Sequence, residues 1–146
     1  MMYLPIFLEG MLAAMVMGLF IVVFEVIKLS NLNFMLLIGH FFIRKSKDTA
    51  LATSLGWIIH LVCGGLMAEV YFLLLSSGIF FEEFSLITVI IWSAILWLIT
   101  MLVVMPILDV GIFASKLGKF KWFELLVVFL CYGFSLHYLI LPLLLV

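Results

Sequence analysis

Four stretches of this chain are apolar for the length of about 20 residues that an α-helix needs to cross hydrocarbon, and that leaves few folds open. They run approximately Leu4–Ile27, Ala50–Leu75, Phe84–Met105 and Phe123–Leu145. Between the first two lies "KLSNLNFMLLIGHFFIRKSKD", whose apolar core, Phe34–Ile43, is too short to span. That segment reads as a short interfacial or re-entrant helix. The expected fold is an all-α, integral membrane four-helix bundle, with residues 1–146 forming a single transmembrane domain.

Composition supports lipid as the solvent. Hydrophobic residues make up 68% of the chain and charged residues 10%, against a usual charged share of about 25%. The start, "MMYLPIFLEGMLAAMVMGLF", lacks a basic leader and Glu9 interrupts it, so it reads as a retained first helix rather than a secretory signal. Net charge is −1 and no basic run carries interleaved aromatics, which argues against nucleic-acid partners. Cys63 and Cys131 fall inside apolar stretches and make neither a CxxC pair nor a disulfide framework.

Charge placement predicts an orientation. Lys28, Arg44, Lys45 and Lys47 lie between spans one and two, and Lys116, Lys119 and Lys121 between spans three and four. The loop "SSGIFFEEFS" has no basic residue. By the positive-inside rule both basic regions face the cytoplasm, and both termini and Glu82–Glu83 face outside, as in a prokaryotic inner membrane. Asp48 or Thr49 is placed to cap span two, Ser85 to cap span three, and Pro106 to stop it.

Small residues mark packing faces. Gly10, Ala14 and Gly18 recur every four residues in span one, as do Ala52, Gly56, His60, Gly64 and Ala68 in span two. That spacing keeps them on one slowly drifting helix face, where backbones approach closely and gain dispersion contact. His60 sits in this stripe near mid-span. It is either a neutral ring bonded to a carbonyl or hydroxyl, or a haem or metal ligand or proton carrier. Glu69, nine residues on, lies about 180° round the helix. It therefore needs something else to face: another helix, a watery pocket or a second subunit.

Glu9 near the outer end of span one, Glu69 and His137 share an outer-half depth. Such a set has the donors for a metal, a proton path or a quinone head. His60 and His137 are also the minimum for bis-histidine haem ligation, at depths differing by roughly 6 Å when counted at 1.5 Å per residue. Ser93 and Thr100 are candidates for hydrogen bonds between helices. No Ser-His-Asp order, metalloprotease helix or phosphate loop is present, so the chain reads as short of catalytic groups.

The stretches "GWIIHLVCGGLMAEVY" at Gly56–Tyr71, "MPILDVGIF" at Met105–Phe113 and "CYGFSLHYL" at Cys131–Leu139 resemble those of a family of small four-span prokaryotic membrane proteins with no assigned function. The resemblance implies this topology and a role for His60 and His137, but no activity. The expected function is a non-catalytic accessory subunit of a larger membrane complex, with other membrane subunits or further copies as partners. The alternatives are a haem, quinone or metal binder using the intramembrane His and Glu residues, and an oligomeric transporter or channel subunit.

Overall fold

The computed structural model describes residues 4–27, 33–43, 48–80 and 83–144. Among them there is no strand. The helices are α1 (Leu4–Val26), α2 (Phe34–Phe42), α3 (Thr49–Ser77), α4 (Leu86–Ile107) and α5 (Lys121–Leu144). α1, α3, α4 and α5 are long and apolar enough to cross a membrane. Their outward faces are apolar too, with Leu19, Leu73 and Ile87 all more than half exposed. A helix apolar on every side is at home in lipid. This is the architecture of a multi-pass membrane protein.

Polar residues fix the helix ends. The Asp48 carboxylate accepts hydrogen bonds from the backbone N–H groups of Ala50 and Leu51, both at 3.0 Å. Asn33 accepts from Leu36 N–H at 3.0 Å and starts α2. Ser85 and Thr88 form a reciprocal capping box at the start of α4. α3 closes at Gly78, whose φ of 65° a glycine adopts without strain.

Pro106 does not stop the third span. Proline has no N–H, and its ring crowds the carbonyl four residues back in a regular helix. The backbone relieves this by widening: Thr100–Val104 forms a π-helical turn, and Met105 N–H donates to Thr100 C=O. One further turn then runs to Ile107. Beyond it, Asp109 and Gly111 take positive φ values of 61° and 80°, and the chain turns back toward α5.

α1 packs against α3 and α5, and α4 packs against α5. α2 lies along α3. The fourth seam, between α3 and α4, has almost no close backbone approach. One end of the bundle holds Leu4, Ser77, Leu86 and Leu144. The other, called here the basic end, holds α2 and the lysines Lys116, Lys119 and Lys121. Lys28, Arg44, Lys45, Lys47 and Glu82 lie outside the described residues.

Candidate functional site

The small-residue stripe of α3 serves two partners. Its first half, Ala52 and Gly56, meets α2: a side chain on Gly39 would strike the Ala52 carbonyl, and one on Gly56 the Met35 carbonyl. Its second half meets α1. A Cβ on Gly10 would come within 2.5 Å of Ala68, one on Gly64 would strike Ala14, and one on Gly18 would meet the Trp57 ring at 2.5 Å. Close approach leaves backbone carbonyls within reach of side chains. His60 Nε2 donates to Ala14 C=O at 2.9 Å, and Tyr132 O–H donates to Gly64 C=O at 2.8 Å. In the neutral imidazole, Nδ1 of His60 then carries the lone pair. Phe34 and Trp57 meet the ring edge-on.

The other end holds a second polar group. His137 stacks on Phe84, with centroids 5.2 Å apart and planes at 11°. Phe84 also meets Tyr71, whose hydroxyl pairs with Thr88 Oγ1 at 2.8 Å. Tyr71 lies two residues beyond Glu69, and Glu9 adjoins Gly10, which faces Gly64, Gly65 and Ala68. Glu9, Glu69 and His137 therefore stand at one height. Each has a buried atom without a hydrogen-bond partner among the described residues: Glu9 Oε2, Glu69 Oε1 and His137 Nδ1. Trp92 Nε1 is in the same state, and its ring lies 6.0 Å from that of Tyr71. Each buried polar group left unpaired costs about 1–3 kcal/mol.

His60 and His137 are not brought together. His137 shares the level of Tyr71, which is eleven residues along α3 from His60. That is roughly 16 Å of helix rise, more than twice the depth difference counted from the sequence. The Nε2 atom of His60 is also engaged by Ala14. Among the described residues no three His, Cys, Asp or Glu side chains are grouped to hold a metal ion.

The open α3–α4 seam contains a cavity of about 360 Å³. Its wall includes His60, Cys63, Tyr132 and the π turn at Thr100 and Val104. Toward the basic end it shares Phe41, Ile107 and Leu108 with a second hollow of about 450 Å³, bordered by His40 and Asp109. Asp109 pairs with Lys116 at 2.6 Å, and Glu124 with Lys121 at 2.8 Å. The Lys116 ammonium, by hydrogen bond and charge, holds the Asp109 carboxyl below its usual range, so it is ionised at neutral pH.

Among the described residues Ser93 makes no hydrogen bond to another helix. Its hydroxyl donates to Val89 C=O in its own helix at 2.9 Å and abuts Gly133 of α5. Tyr132, Gly39 and Gly133 are contacts that sequence spacing does not single out. The one available signal for Tyr132 and Gly133 is a hydroxyl-bearing residue beside a glycine inside an apolar run.

No protein-family model, curated protein or solved structure matches this chain.

Proposed function

We propose that the protein is a non-catalytic subunit of a larger membrane assembly, and that it docks through the level holding Glu9, Glu69 and His137. In this reading the basic end faces the cytoplasm of a prokaryotic cell and the Glu69 level lies in the outer leaflet. Glu69 carries the argument. It sits on the side of α3 opposite His60, its side chain is half-buried, and its Oε1 finds no donor among the described residues. An acid at such depth is costly in lipid. A hydroxyl, amide or cationic donor from an adjoining helix, reaching the part of this half-buried side chain that the bundle leaves uncovered, turns that cost into a charge-assisted or neutral hydrogen bond. Such a bond selects the partner because its absence leaves the acid stranded.

The test pairs Glu69→Leu with the parent chain, each purified from its native membrane in mild detergent. The parent is expected to carry a stoichiometric membrane partner, or a further copy of itself. Glu69→Leu is expected to lose that partner, while the lone subunit gains about 1 kcal/mol or more of stability from removal of the unpaired acid. A parent that runs as a stable monomer, with Glu69→Leu melting no higher, contradicts the reading.

A further inference from the structure

We propose that the α3–α4 seam holds one membrane phospholipid whose headgroup joins a phosphate to a primary ammonium. Its hydrocarbon tail occupies the apolar cavity, and its headgroup lies at the His40–Asp109 mouth. The site is independent of the Glu69 docking level, which stands at the opposite end of the bundle.

Three features carry this. First, the cavity opens sideways: Cys63 and Ile99 on its wall are exposed, and α3 and α4 do not close the seam. In a bilayer the material that reaches such an opening is hydrocarbon. At about 360 Å³ the hollow lies within the range of roughly 300–1,000 Å³ usual for small-ligand sites. Second, the apolar hollow shares Phe41, Ile107 and Leu108 with the hollow that His40 and Asp109 border. An occupant spanning both is amphiphilic, with its polar end at the basic end of the bundle. Third, the mouth offers both signs. The Asp109 carboxylate stands against the Lys116 ammonium, and His40 lines the same hollow. An ammonium donates to Asp109, and a phosphate accepts from His40 and Lys116. Moving a tail from bilayer to an apolar cavity gains little, because lipid is already apolar. Headgroup contacts therefore set the preference.

Nanodiscs of equal parts phosphatidylethanolamine, phosphatidylcholine and phosphatidylglycerol test this, with tightly retained lipid read by native mass spectrometry. One phosphatidylethanolamine per chain is expected, retained about threefold or more over the other two. Phosphatidylcholine lacks the donating N–H, and phosphatidylglycerol lacks the cation. Asp109→Asn, which tolerates the positive φ at that position, is expected to erase the preference. Cys63→Phe, which fills the cavity, is expected to reduce retention of every lipid. If Cys63→Phe does not fold, the headgroup comparison and Asp109→Asn decide alone. Retained lipid that mirrors the mixture, a preference that survives Asp109→Asn, or no retained lipid overturns the proposal.

Discussion

Adding one methyl group at Gly56 or at Gly39 is expected to detach α2 from α3 and lower the stability of the protein by about 3 kcal/mol, the upper end of the usual overpacking cost. The size follows from what the methyl meets. At Gly56 it runs into the Met35 carbonyl, and at Gly39 into the Ala52 carbonyl. Both obstacles are main chain, so no rotamer change clears them and the two helices must separate. Separation also uncovers Phe34 and Met35, which are 5% and 2% exposed in the native packing. Thermal unfolding in mild detergent measures the loss. Trp57 fluorescence reports the site, because that ring lies beside His60 and Gly18. Gly78→Ala is the control: it meets no atom within 4 Å, and its expected cost is the positive-φ strain of about 1 kcal/mol. Gly56→Ala or Gly39→Ala as stable as the parent contradicts this packing.

Gly133→Ala is expected to cost about 2 kcal/mol, and Ser93→Ala is expected to restore about half of it. Here the obstacle is a side chain. A Cβ on Gly133 strikes Ser93 Oγ, with Ser93 Cβ at 3.1 Å and Val89 O at 3.3 Å behind it. Removing the hydroxyl clears the first contact and leaves the next two tight, so rescue is partial. Ser93 is fully buried, and among the described residues its hydroxyl is bonded only within its own helix. Ser93→Ala alone is therefore expected to cost less than Gly133→Ala. A double-mutant cycle of unfolding free energies gives the coupling, with a favourable term of about 1 kcal/mol expected. Strict additivity of the two substitutions contradicts contact between α4 and α5 at this point.

The long helices were legible because crossing hydrocarbon requires an uninterrupted apolar run, and their caps were legible because Asp48 and Ser85 stand just outside such runs. The partner of each face was not. The four-residue spacing from Ala52 to Ala68 identifies a small-residue face but says nothing of where it passes from α2 to α1. Gly39 carries no periodic signal in a nine-residue helix, yet it allows the closest approach of α2 to α3. Local sterics favour a stop at Pro106, whereas the π turn at Thr100–Val104 accommodates the proline and carries the helix on to Ile107. The shared height of Glu9, Glu69 and His137 follows from counting residues along alternating helices. Their lateral directions depend on helix rotation, which spacing alone leaves undetermined. Counting from the helix starts undercounts the distance from His60 to His137, because residue counts carry no information on the height at which each helix begins.

In the proposed orientation the lysine-bearing end of the four-span bundle faces the cytoplasm. Single cysteines at two exposed positions measure this most directly, in a background in which Cys63 and Cys131 are replaced by alanine. Ser76→Cys lies at the end of α3 beside the α3–α4 loop, and Ser115→Cys lies in the lysine-rich turn before α5. With a membrane-impermeant maleimide on intact spheroplasts, Ser76→Cys is expected to label at once and Ser115→Cys only after permeabilisation. Labelling of Ser115→Cys in sealed cells with Ser76→Cys protected, or equal labelling of both before permeabilisation, would contradict the account.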